Sequence, residues 1–303
     1  MTTQTERSWT PPETREVRAP DGRVVRYCLY GPRDGARLVV HGGTPSTRWL
    51  TAKGVERFAQ AGIRALVYDR PGYGGSTRQP GRHVVDAVED VRLLVDAEGW
   101  DRFATFGGSG GGPHTLACAA RLADRVTRCA AMVSIAPYDA DGLDWFAGMS
   151  PGNVEEFTLA QHGEAAYRPL VERIGREAAE RAGRSEVPIG DEYAMPESDL
   201  AEARRRLAEH NLGQREVGVQ MWSGGFDGWI DDCIAFVRPW GFDVGEIGVP
   251  VSIWYGPDDV LVPRGHAEWL LDQVPGAVRR ELAGGHLASE DDLAAINAWL
   301  AAA

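Results

Sequence analysis

Ser109 is the residue in this sequence whose setting most clearly asks for chemistry. It stands in FATFGGSGGGPHTL (residues 103–116), one serine among five glycines. Glycine weakens strands and helices alike, so such a run belongs where the backbone must turn sharply or another group must come close. Gly107-Gly108-Ser109-Gly110-Gly111 fits G-x-S-x-G. In that pattern a serine occupies a strained strand-to-helix turn, its Oγ above the sheet and helix N-terminal N–H groups beside it. The apolar FATF before it and the helical spacing after it supply the context. The competing reading of a glycine-rich run is a phosphate loop. A dinucleotide fold places that loop after its first strand, whereas this one follows the fifth expected strand, so the phosphate reading fails.

A serine hydroxyl is a weak nucleophile and needs a base that a third group orients. On such an elbow the chain order is serine, acid, histidine. His286 stands in LAGGHLASEDD, past the last expected strand and before the last helix, where a glycine-freed loop can bring it over Ser109. Of the other histidines, His83 and His266 lie on expected helices and read as surface residues. His114, on the elbow helix, reads as a hydrogen-bonded packing residue, and His41 as a tie for its own loop. For the acid, WYGPDDVLVP offers Asp258 and Asp259, with Asp139 a third candidate after the sixth strand.

With these residues in place the sequence resembles the α/β-hydrolase superfamily, in its serine-nucleophile, cap-containing branch. The acid loop of that family commonly reads G-x-x-D-x-x-x-P, which Gly256, Asp259 and Pro263 fill. The resemblance therefore favours Asp259 and leaves Asp258 as a solvated turn residue. HGGTPS, after the third strand, carries the family's HG dipeptide as His41-Gly42. It implies the N–H of Gly43 as one oxyanion donor, with Thr44 the fallback, and Gly110, directly after the nucleophile, as the other. DRPGYGGS (residues 69–76) resembles the family's loop after the fourth strand and reads as a structural turn.

What the resemblance implies is a serine hydrolase that cleaves small to medium apolar carboxylic esters through an acyl-enzyme, with no metal and no organic cofactor. Its rivals are several. A proline-iminopeptidase-like amide or peptide hydrolase would need a cap carboxylate, such as Glu155, Glu156 or Glu164, to hold a free amine. C–C bond hydrolases and cofactor-free haloperoxidases share the same triad. A non-catalytic ligand-binding protein of this fold is the rival from outside enzymes.

The scaffold expected to hold these residues is α/β: a mostly parallel eight-stranded sheet flanked by helices, with a helical cap inserted after strand 6. A hairpin over 17–30, turning at Asp21-Gly22, leads into ARLVVHGG, IRALVYD, FATF, RCAAMVSIA, PVSIWYG and VRRELAGGHL, all read as strands. Helices are expected over 49–60, 84–97, 110–121 and 289–302, the last capped by Ser289. Strands alternating with helices imply a sheet covered on both faces. The core domain is then 13–137 with 239–303, and 138–238, lacking strand signals, is the cap, with helices at 171–182 and 200–211. Its aromatic residues Trp145, Phe146, Trp222 and Phe226, with Phe157 and Trp229, are expected to line the substrate pocket.

A net charge of −12 argues against phosphate backbones and anionic membranes as partners. Cys28, Cys118, Cys129 and Cys233 lack metal-site or disulfide spacing and read as buried thiols. There is neither a signal-peptide core nor an apolar run of about 18 residues, so the expected location is cytoplasmic, with the first dozen residues frayed. The expected partner is a small-molecule ester, with neither nucleic acid nor membrane; a homodimer is compatible with the sequence.

Overall fold

The computed structural model describes residues 9–187, 190–209 and 212–302. One sheet holds β1 (Arg15–Arg18), β2 (Val24–Tyr30), β3 (Ala36–His41), β4 (Ile63–Tyr68), β5 (Phe103–Gly108), β6 (Val126–Met132), β7 (Val251–Tyr255) and β8 (Val278–Glu281). Their order is β1-β2-β4-β3-β5-β6-β7-β8. β2 runs antiparallel to both its neighbours, and the remaining pairs are parallel. The inner strands read as near-continuous apolar runs because both of their faces are covered; in β7, VSIWY, every residue is buried. The far edge strand β8 instead exposes Arg279, Arg280 and Glu281, charges that discourage pairing with another chain.

The α-helices among the described residues are α1 (Ala52–Gln60), α2 (Ala87–Ala97), α3 (Gly112–Arg121), α4 (Pro151–Gln161), α5 (Glu164–Gly183), α6 (Glu197–Ala208), α7 (Gln214–Trp222), α8 (Asp227–Phe236), α9 (Arg264–Gln273) and α10 (Glu290–Ala301). Val91, Leu116 and Leu270 from α2, α3 and α9 pack on one face of the sheet. Phe58, Ile296 and Leu300 from α1 and α10 pack on the other. Helix starts fall where side chains can cap them. Thr51 accepts from the Gly54 N–H and opens α1 later than the sequence periodicity suggests. Ser289 and Asp292 form a reciprocal capping box on α10.

Between β6 and β7 lie α4 to α8, the cap. It is not a tethered module: Tyr167, Ile174, Ile230 and Phe236 belong to the same apolar cluster as Leu116 and Val91. α8 is buried from Gly228 through Phe236, and each large apolar side chain so covered is worth roughly 1.5–3 kcal/mol. The helix expected over 200–211 begins earlier, at Glu197, and its last two positions lie outside the described residues. Residues 1–8 of the expected frayed start also lie outside them. Trp9 does not fray: its ring packs 5.3 Å from that of Trp49. All four cysteines are buried and unpaired. No helix among the described residues is long and apolar enough to cross a membrane.

Candidate active site

The elbow serine leaves the end of β5 with a φ of +53°, in the left-handed region. A non-glycine residue held there costs on the order of 1–3 kcal/mol, which the surrounding packing must supply. The glycines make that packing possible. A Cβ on Gly107 would stand 2.1 Å from the Gly111 carbonyl oxygen, and one on Gly111 would stand 2.1 Å from that of His41. Strand, elbow and the neighbouring loop thus touch backbone to backbone, leaving the Ser109 side chain on the wall of a cavity of about 310 Å³.

His286 lines the same cavity. It follows β8, and its Nδ1 lies 2.8 Å from Asp259 Oδ2. A carboxylate only accepts, so Nδ1 carries the hydrogen and Nε2 is left with its lone pair. Asp259 is itself fixed: Oδ1 accepts the N–H groups of Leu261 at 2.8 Å and Val262 at 2.9 Å. Gly256 lets the acid loop and histidine loop meet, since a Cβ there would fall 1.9 Å from the Gly285 carbonyl oxygen. Burial pulls the His286 pKa down, but the charge and hydrogen bond of Asp259, then the charge of Asp199, outweigh it and hold it above 6.5. Asp258 and Asp139 are exposed.

The two residues expected to donate to an oxyanion, Gly43 and Gly110, line the cavity beside Ser109. A Cβ on Gly43 would stand 3.7 Å from the Ser109 Cβ, so its backbone passes close to that serine. The loop is held from below by Arg70, which donates to the carbonyls of Gly42 at 2.5 Å and Gly43 at 2.6 Å. Arg70 also donates to Asp232 Oδ2 at 2.6 Å, as Thr44 does at 2.7 Å and Tyr73 at 2.8 Å. Arg82 donates to Oδ1 at 2.6 Å. Burial would push the Asp232 carboxyl up, but Arg70 and Arg82 hold it well below the usual carboxylate range. Burial and the charge of Arg70 pull His114 down to about 3; the Gly110 carbonyl, 2.9 Å from its Nδ1, only accepts, so Nδ1 carries the hydrogen. DRPGYGGS is therefore more than a shaped turn: its arginine holds the Gly42-Gly43 loop. The arginine type within the motif was the signal available; its partner on α8 was not.

Of the six aromatic residues expected in the pocket, Phe157, Trp222 and Trp229 line the cavity. Trp145, Phe146 and Phe226 do not. Trp145 is buried beneath, its indole donating to the Ala136 carbonyl at 2.9 Å, and Phe146 packs edge-on against it. Phe226 instead covers Gly175 on α5. His266 corrects the surface reading of its helix. It is 1% exposed, its Nδ1 accepts the Ala136 N–H at 3.1 Å, and Nε2 meets the Trp145 carbonyl at 3.0 Å. Burial takes it down to about 4. Among the cap acids, Glu155 is exposed and Glu164 pairs with Arg78 and Arg168. Glu156 is buried, lines the cavity and accepts from the phenols of Tyr167 and Tyr193.

The sequence matches the family model described as alpha/beta hydrolase fold over residues 36–293. It is similar to a non-heme chloroperoxidase of Streptomyces lividans, 28% identical over 254 residues that span 82% of this chain and 83% of that protein. Among solved structures it is similar to a thermophilic esterase from Thermogutta terrifontis, with a TM-score of 0.68 and 19% identity over 95% of this chain and 98% of the other. It is similar also to the enol-lactonase from Burkholderia xenovorans, with a TM-score of 0.63 and 21% identity over 93% and 96%. At these identities the solved structures speak for the fold alone.

Proposed function

The chain belongs to the alpha/beta-hydrolase family, and on that premise we propose that it is a serine hydrolase of small to medium apolar carboxylic esters. The observation that carries this is the His286–Asp259 contact of 2.8 Å in a cavity whose wall also bears Ser109 on its strained turn. Ser109 Oγ attacks the ester carbonyl while His286 Nε2 takes its proton. The N–H groups of Gly43 and Gly110 meet the negative charge that forms on the carbonyl oxygen. The C–O bond then breaks, His286 protonates the departing alcohol, and the acyl group stays on Ser109. Water, giving its proton to the same nitrogen, attacks the acyl-enzyme; the acid leaves and Ser109 regains its hydrogen. A cavity of about 310 Å³, walled by Trp222, Phe157, Ile174 and Val262, suits an apolar acyl group of modest length.

The test is turnover of a p-nitrophenyl ester series, short to long acyl chain, with Ser109→Ala assayed in parallel. The variant is expected to lose activity by about 10⁴-fold or more. Equal, slow release of nitrophenol by both proteins would end the serine mechanism and bring forward a ligand-binding role.

Glu156 favours a second reading, cleavage of an amide beside a free amine. It is a buried carboxylate on the cavity wall, and burial pushes it up to about 7 although two tyrosine phenols pull it down. A substrate ammonium would pair with this carboxylate. Amino-acid p-nitroanilides, each compared with its N-acetylated form, decide this: a clear preference for the free amine favours the amide reading, and indifference removes it.

A further inference from the structure

A second buried carboxylate reaches the histidine loop from the cap. Asp199, the third residue of α6, is 1% exposed, and no arginine or lysine pairs with it among the described residues. Its oxygens are met instead by backbone: Oδ2 accepts the His286 N–H at 2.9 Å and Oδ1 the Leu287 N–H at 2.7 Å. A carboxylate out of water is costly unless it is hydrogen-bonded in this way.

Two local features release Asp199 for this contact. An acid at the third position of a helix commonly reaches back to the N–H of the capping residue, but the residue capping α6 is Pro196, which has none. Gly285 supplies the space, because a Cβ there would stand 2.4 Å from Asp199 Oδ2. The glycine pair before His286 therefore does more than loosen a loop: its second member lets the cap carboxylate reach the histidine backbone.

We propose that Asp199 is a positioning residue for His286, by which the cap fixes where the imidazole stands and adds a second negative charge to stabilise the imidazolium. The inference rests on the serine-hydrolase reading. It makes the docking of α6 part of the catalytic assembly, since any displacement of that helix would carry the histidine loop with it. The charges that face His286 are Asp259 from the loop after β7 and Asp199 from α6. Glu156, Glu177, Arg181 and Glu192 line the same cavity from the cap.

Asp199→Asn keeps the shape and one acceptor but removes the charge. The expected result is a fall in kcat of about 10- to 100-fold with KM within about threefold. The acid limb of the kcat/KM profile should move to lower pH by about half a unit or more, because the neutral imidazole is the base and its cation loses a stabilising neighbour. A loop that was merely loosened would lower kcat and leave the limb in place, so an unmoved limb overturns the proposal whatever happens to kcat. Glu156 titrates near 7 in the same cavity, so the profiles are measured in a Glu156→Gln background as well. If Asp199→Asn does not fold, Gly285→Ala drives a methyl group against Oδ2 and tests the same contact. A limb shifted to lower pH supports the proposal, and an unshifted one overturns it. Ser109→Ala separates the two ways of failing. Activity that survives in it ends the serine-hydrolase reading; its loss, with an unmoved limb in Asp199→Asn, ends only the role of Asp199.

Discussion

On the oxyanion side of the cavity, Asp232 sits fully buried between Arg70 and Arg82, with the phenol of Tyr73 on one oxygen. On the histidine side, Asp259 and Asp199 are nearly as buried, yet backbone N–H groups and one imidazole meet them in place of guanidinium groups. In the proposed mechanism the difference follows from what each side must do. The oxyanion loop needs donors that hold still, and an acid locked between two arginines supplies a fixed anchor whose charge does not change as the reaction proceeds. The histidine side must stabilise a positive charge that appears and disappears. An arginine beside Asp259 would spend that carboxylate on itself and weaken its hold on the imidazolium. Backbone N–H groups can orient an acid without adding a full positive charge next to the base.

The contrast is broken most directly at Asp259. Asp259→Asn keeps the volume but offers an amide to His286 Nδ1, favouring the tautomer with the hydrogen on the wrong nitrogen. We expect kcat to fall by about 10⁴-fold with the unfolding midpoint in urea near that of the wild type. A loss below about tenfold would mean that His286 does not depend on this acid for its orientation. Asp232→Ala should show the reverse balance. It leaves Arg70 and Arg82 buried without their carboxylate, and breaking a buried pair in this way costs about 3–5 kcal/mol of stability. Urea unfolding measures it. A neutral result would mean that the arginines find other partners and that the oxyanion loop is not anchored through Asp232.

What could be read from the sequence divides along the same lines. That Ser109 and His286 belong to one candidate site, the cavity both line, was legible because their signals are local: a glycine run between a strand and a helix, and a glycine-led loop between the last strand and the last helix. Asp259 needed the family pattern to be chosen over Asp258, because both follow the same strand. The supports were not legible. Arg70 and Asp232 lie 162 residues apart, and Asp199 lies 87 from the histidine whose N–H it accepts. Their types fit an exposed loop or a helix surface equally well until the cap folds over the sheet. His266 and Trp145 were misread for a related reason: helical spacing marks faces but does not say which face another segment will cover. Here the chain after β6 passes over α9 and takes both side chains into one buried hydrogen-bonded group.

Glu156 offers the smallest and most pointed test, because it is a buried acid that belongs to neither arrangement: among the described residues it pairs with no arginine and no backbone N–H, and its partners are the phenols of Tyr167 and Tyr193 and the indole of Trp229. Burial raises its pKa from 4.5 to about 7. A group whose folded pKa is raised contributes stability that is fully present below its unfolded value and lost as pH rises through the folded one. The wild type should therefore weaken between about pH 4.5 and 7 in step with this ionisation. Glu156→Gln, which cannot ionise, should be near neutral in stability at pH 4 and should gain roughly 1–3 kcal/mol over the wild type at pH 8. Urea unfolding at the two pH values reads the difference. An equal effect of the substitution at both would mean that Glu156 titrates no differently from an unfolded carboxyl. It would then be ionised well below neutral pH, and the cavity would carry a standing negative charge rather than one that appears near pH 7.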